Sequence, residues 1–235
     1  MAFGILFRTI IAPGTFIAPG MVSLIVYKLC TVLLILGMNW LFIGQKIYFA
    51  NLHVLTWVIL LVVWLIESGL LVKVHGFGHL PWSITMALIP GFVEELGMRG
   101  VVFGALRQRL RGQHARLNAF IISAVLFALL HLVNLTGENV MAVLVQMISA
   151  LGGGFLFAAL YERSGNLLSA MVYHFSFDYI TVGMGMPGVH TSAAATPVTF
   201  IAPLVVFVIE VLIAVAVMRL GKPEHRDRLA VKMGL

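Results

Sequence analysis

Long apolar runs separated by short polar breaks recur along the whole chain. Runs of about 20 mostly apolar residues, the length a helix needs to cross a hydrocarbon core roughly 30 Å thick, fall at 21–43, 54–74, 82–106, 118–136, 139–161, 166–186 and 198–220. The segment 3–19 is also apolar, but it is short and interrupted by Pro13-Gly14. It is expected to be either an interfacial helix or an eighth span. The pattern predicts an all-α polytopic membrane protein of seven to eight transmembrane helices, organised as one membrane domain over 1–235 with a buried catalytic site.

Three of these runs hold polar groups that hydrocarbon does not tolerate. They are Glu94-Glu95-Leu96-Gly97-Met98-Arg99, Phe127-Ala128-Leu129-Leu130-His131 and His174-Phe175-Ser176-Phe177-Asp178. A charge at the centre of a membrane helix costs roughly 2.5–3.5 kcal/mol on insertion scales. Such groups are expected to face the protein interior, to pair with one another, and to serve a function.

Composition sharpens this reading. Of 235 residues, 61% are hydrophobic and only 10% charged, whereas a soluble domain has about 25% charged residues. Mean hydropathy is +1.05. The net charge of +6 is no nucleic-acid signature. Its basic residues gather at the flanks of spans, at Arg107, Arg109, Arg111 and Arg116, and again at Arg219, Lys222, Arg226, Arg228 and Lys232. Lys and Arg at such flanks mark the cytoplasmic side. With the Arg107–Arg116 loop cytoplasmic, alternation puts Lys46, Arg163 and a basic tail, 221–235, on the same side; Lys73 is the exception. The C-terminus is thus expected in the cytoplasm and the partner is the lipid bilayer, not nucleic acid. The single cysteine, Cys30, rules out an intrachain disulfide. The N-terminal run lacks a convincing cleavage site, so no removable signal peptide is expected, and the C-terminal Lys-Met-Gly-Leu has no cysteine to prenylate.

Depth provides a test. At about 1.5 Å per residue, Glu94 lies roughly 20 Å before the Arg107 loop, His131 roughly 20 Å beyond Arg116, and His174 about 12–15 Å into its own span. The three can meet at one level. Glu95 and Arg99 are spaced i,i+4 on one helical face and suit an ion pair, while Glu94 projects about 100° away toward another helix. His174 and Asp178 repeat the i,i+4 spacing, so the carboxylate can orient the imidazole. Phe127 and Asn134 lie one turn to either side of His131. Pro90-Gly91, Gly97 and Gly100 permit a kink and close helix approach. Gly152-Gly153-Gly154 is expected to allow tight helix contact or local unwinding. Lys28, Glu67 and Glu210 belong to no motif, and structural pairing or snorkelling to an interface is expected of them.

A carboxylate and two imidazoles around a water have two routes to amide hydrolysis. Glu94 can act as general base with a histidine positioning the water. Alternatively, Glu94, His131 and His174 can hold a divalent metal such as zinc, which acidifies the water. Spacing does not choose between them, so the cofactor stays open. Other intramembrane protease types are excluded: there is no His-Glu-x-x-His and no Gly-x-Ser-x-Gly. Of two aspartates, Asp227 lies in the tail, which excludes an aspartate dyad.

Glu94-Glu95-x-x-x-Arg99, Phe127-x-x-x-His131 and His174-x-x-x-Asp178 resemble the three motifs of the CPBP family, the CAAX prenyl endopeptidases and bacteriocin-processing (Abi) membrane proteins. The resemblance covers about 85–180. It implies a membrane endopeptidase acting on peptides or membrane-associated proteins. In it Glu94 and His131 activate the water, His174 and Asp178 stabilise the oxyanion, and Glu95 and Arg99 support them, with Phe127 and Asn134 as neighbours. The family's prenyl-protein members usually have Asn at the last motif position, and many prokaryotic relatives have Asp, as here. An ionised Asp accepts hydrogen bonds but does not donate them. The expected setting is therefore a prokaryotic cell membrane. Two further readings compete: a catalytically silent immunity or scaffold protein of the same fold, and an ion-coupled carrier. The absence of any motif repeat in the first half argues against the carrier.

Overall fold

A computed structural model describes residues 21–185, 200–219 and 227–235, with the backbone alone at 21–24. The segment 3–19, the ends of the spans 166–186 and 198–220, and residues 221–226 of the tail lie outside the described residues. Every regular element among the described residues is helical. In chain order these are α1 (Met21–Met38), ending in a π-helical turn Asn39–Ile43; α2 (Val54–His75); and α3 (Leu80–Glu95). The helix of α3 continues as a π-helix, Leu96–Phe103, and then as α4 (Gly104–Arg109). α5 (Ala115–Leu130) tightens into a 3-10 helix, His131–Thr136. α6 (Val140–Ser164), α7 (Leu167–Gly183), α8 (Ile201–Arg219) and a short α9 (Arg228–Met233) follow.

Helix occupies the described part of each of the seven predicted spans. Five stretches are long and apolar enough to cross a membrane: Ile25–Ile43, Val54–His75, Ala115–Thr136, Val140–Ser164 and Ile201–Arg219. The other two, α3 with its continuation and α7, hold the acidic motifs, whose polar residues dilute their hydropathy. The protein is an integral membrane protein, and α2 shows why. Its Leu61, Leu65, Ile66 and Leu70 are exposed on a helix whose backbone is internally hydrogen-bonded, the condition for contact with lipid.

Local signals set the boundaries. The side chains of His53, Asn139 and Asn166 accept from backbone N–H groups in the first turns of α2, α6 and α7, satisfying donors that a helix start leaves open. Gly165, at φ +60°, ends α6 in the left-handed region and turns the chain into α7. Asn166 also brackets Ala50, donating to its carbonyl and accepting from its N–H.

α6 is the central helix, packing on α5, α7 and α8, while α3 packs along α7. Small residues make these approaches possible. A Cβ on Gly91 would stand 3.1 Å from the Phe175 backbone nitrogen, and one on Gly154 would stand 2.8 Å from the Ala124 Cα. The Gly152-Gly153-Gly154 stretch thus serves tight helix contact, within an unbroken α6. α1 rests on α3 and its π-helical continuation, and α2 leans on α7 through Trp64, which donates to Ser176 at 2.8 Å.

Three expectations change. Arg107 is no solvated flank residue: it is 9% exposed and donates to both Glu162 oxygens, at 2.9 and 2.8 Å. A guanidinium fork matching a carboxylate is the geometry that compensates burial of both charges. The tail is docked as well. Leu229 is fully buried, Lys232 donates to the Gly165 carbonyl at 2.7 Å, and Arg116 pairs with Asp227 at 2.7 Å. The Arg116 loop, the α6–α7 turn and the tail therefore share one end of the bundle, as alternation requires. Glu210 neither snorkels nor pairs. It is 3% exposed, and neither oxygen has a hydrogen-bond partner among the described residues. It occupies space left by Gly152, whose added Cβ would stand 2.6 Å from Glu210 Oε2.

The Arg107–Glu162 pair yields a stability prediction. Removing one partner strands a buried charge and costs about 3–5 kcal/mol, whereas replacing both with apolar residues is near neutral. Arg107→Met is therefore expected to lower the thermal unfolding temperature in detergent sharply. Arg107→Met combined with Glu162→Leu should restore most of it. Equal unfolding temperatures for wild type and Arg107→Met would show that the pair contributes nothing.

Candidate active site

Glu94 and Glu95 end the α-helical part of α3, and the backbone widens into the π-helix directly after them. π-Helical insertions concentrate at functional sites because they re-aim side chains. Glu95 and Arg99, both fully buried, pair at 2.8 Å across one turn. The guanidinium carbon of Arg99 lies 4.1 Å from the Phe127 ring centre and 4.9 Å from that of Phe157. The two rings give the cation a negative π-face on the sides where it has no carboxylate. Nε and Nη2 of Arg99 have no hydrogen-bond acceptor among the described residues, so the rings are its remaining stabilisation.

His174, 6% exposed on α7, completes this set. Its Nδ1 donates to Glu95 Oε1 at 3.0 Å, and its Nε2 stands 3.3 Å from Asp178 Oδ2. Both ring nitrogens thus face carboxylate oxygens, which accept only. That arrangement matches an imidazolium with a proton on each nitrogen. Phe157 stacks on the same ring, 4.6 Å centre to centre and 21° from parallel.

His131 sits where α5 tightens into the 3-10 helix. Its Nδ1 lies 2.9 Å from the Phe127 carbonyl. A carbonyl cannot donate, so Nδ1 carries a proton, and in the neutral form of the ring Nε2 is the acceptor. Phe127 meets His131 and His174 edge to face, at 5.1 and 5.8 Å between ring centres, and is the hub between the two histidines and Arg99. Asn134 is tied to α6 instead, donating to Gln146 at 2.7 Å.

Glu94 differs from its neighbour. Its side chain keeps 26% of its surface accessible, and Lys28 Nζ of α1 donates to its Oε1 at 3.0 Å. It also lies within electrostatic reach of both His131 and His174. The bundle therefore gathers Glu94, Glu95, Arg99, Phe127, His131, His174 and Asp178 into one region.

Whether these residues suit a metal depends on their free donors. Among the described residues no three His, Cys, Asp or Glu side chains are grouped to hold an ion. His174 has no free lone pair, since Glu95 and Asp178 engage its two nitrogens. The Glu94/His131/His174 set does not fit a metal in this arrangement.

Sequence reasoning missed two residues of the site. Lys28 was assigned to no motif. The signal was a mid-span cation on one helix and, on another, one glutamate more than Arg99 can pair. Phe157 had no such signal, being an aromatic residue in an apolar run.

No curated protein and no solved structure matches the chain. Residues 76–180, which run from the connector before α3 into α7 and contain all three motifs, match the family described as Type II CAAX prenyl endopeptidase Rce1-like, the CAAX endopeptidase family that those motifs resemble.

Proposed function

We propose that the protein is a membrane-embedded endopeptidase that hydrolyses peptide bonds of membrane-associated proteins or peptides, with water activated by Glu94. The observation carrying this reading is the contrast between the two glutamates. Glu95 is sealed between Arg99 and His174, while Glu94 is accessible and lies near both imidazoles.

Glu94 accepts a proton from a water that Nε2 of neutral His131 orients, and the hydroxide attacks the scissile carbonyl. The His174 imidazolium, its two N–H groups held by Glu95 and Asp178, contributes a fixed positive charge as negative charge builds on the oxygen, the step where preorganised electrostatics contribute most. Glu94 then passes its proton to the leaving amine. Asp178 does not donate to the oxyanion; it holds His174 in orientation and keeps its charge balanced. The reaction is expected on the side of the membrane holding the Arg107–Arg116 loop and the C-terminus, taken as the cytoplasm, in a prokaryotic cell membrane.

The test is proteolysis in proteoliposomes. A panel of membrane-anchored peptides, including prenylated ones, is incubated with purified protein, and products are identified by mass spectrometry. Wild type is expected to release defined fragments at a rate unchanged by chelator. Asp178→Asn, which keeps the shape but not the charge, is expected to cut with a kcat lowered about 10-fold, within the range of general acid–base effects. Fragments released equally by wild type and by Glu94→Gln would reject the reading.

A further inference from the structure

We propose that Lys28, on a span outside the family-matched segment, is a positioning residue for the general base: its ammonium holds Glu94 as an aimed carboxylate inside the membrane. This rests on the function proposed above.

The contact is an ion pair of 3.0 Å between helices, with side-chain exposures of 15% and 26%. Either charge alone in this setting carries the insertion cost of an intramembrane charge, and together they cancel. Lys28 had an alternative. A lysine's flexible stem can carry its ammonium toward a membrane interface. The ammonium is directed to Glu94 instead. Among the described residues Lys28 is the cation that bonds that carboxylate directly; the other cations nearby have their own partners. Arg99 is committed to Glu95 and the two rings, and His174 lies between Glu95 and Asp178.

The charge balance of the whole site agrees. The groups around Glu94 are Lys28 of α1, Glu95 and Arg99 of α3 and its continuation, His131 after α5, and His174 and Asp178 of α7. With the neutral His131 that the proposed reaction requires, Lys28, Arg99 and the His174 imidazolium are three cations against the carboxylates Glu94, Glu95 and Asp178, a balance that needs Lys28. Lysine also suits the task chemically. Its ammonium is a point charge that bonds Oε1 alone, whereas a guanidinium fork tends to occupy both carboxylate oxygens. Oε2 is left to take the proton of the water.

The experiment compares wild type, Lys28→Ala, Lys28→Gln and Lys28→Arg in proteoliposomes, with Glu94→Gln as the control for the reaction itself. Kinetics are taken with and without added ethylammonium chloride, and folding is followed by size-exclusion chromatography and thermal unfolding. Lys28→Ala and Lys28→Gln are expected to lose about 10- to 100-fold in kcat with little change in KM, less than loss of the base itself. Lys28→Arg should keep more activity than Lys28→Ala but less than wild type, because its fork also reaches for Oε2, and ethylammonium should restore part of the Lys28→Ala rate. Folded Lys28→Ala or Lys28→Gln with wild-type kcat overturns the proposal. So does a loss that ethylammonium and arginine do not rescue and that tracks the folded fraction, and so does a rise in KM alone, which would make Lys28 a substrate-binding group. Activity surviving in Glu94→Gln overturns the reaction reading instead, so the two failures are separable.

Discussion

Glu94→Gln is expected to reduce peptide hydrolysis by about 10²–10⁴-fold, the usual contribution of a positioned general base, while the protein stays folded. The amide is nearly isosteric with the carboxylate, and its oxygen still accepts from Lys28, so the α1–α3 contact survives. What disappears is the ability to take a proton from water. His131→Ala is expected to act in the same direction, since the Nε2 acceptor that orients the water is removed along with the ring that packs on Phe127. The measurement is kcat on a cleaved peptide, with size-exclusion profile and helical circular dichroism as controls for folding. Full activity in both variants would remove the basis for a carboxylate-activated water.

Arg99→Ala is expected to act on stability more than any single change at the reacting groups. Glu95 and Arg99 are both fully buried, and stripping one partner from such a pair costs about 3–5 kcal/mol. The loss here extends further than the pair. Phe127 and Phe157 lose the cation lying over their rings, and Glu95 keeps only His174 as a partner. Cleavage should fall as well, because Glu95 is no longer held for His174. A large drop in thermal unfolding temperature in detergent is the expected readout. Arg99→Met with Glu95→Gln, which removes both charges, should recover part of it. An Arg99→Ala protein as stable as wild type would mean that the rings and His174 already compensate Glu95.

Much of this site can be read within single helices. The i,i+4 rule pairs Glu95 with Arg99 and His174 with Asp178, and both pairs form. Equal depth along three spans places Glu94, His131 and His174 at one level, and the bundle brings their surroundings together. The reading of Arg107 failed for an instructive reason. A cluster of arginines beside a polar loop looks like an orientation signal, and nothing local distinguishes the one that turns inward. Its partner Glu162 is 55 residues away on α6, and only the approach of α6 to the π-helical segment leading into α4 selects it. The reading of Glu210 failed differently: the space that shelters it comes from a glycine on another helix.

The sequence by itself determined the helical class, the positions of the spans, the membrane setting and the residues that must face inward. These follow from apolar run length and from the cost of charge in hydrocarbon, both properties of a segment taken alone. Tertiary structure decided which charge meets which: Lys28 with Glu94 across 66 residues and Glu95 with His174 across 79, with Phe157 laid on the imidazole. Helical geometry fixes neighbours along one helix, but the rotation and choice of partner helices depend on where backbones can approach. Here the glycines at 91 and 152–154 set those approaches, and the pairing of buried charges completes them.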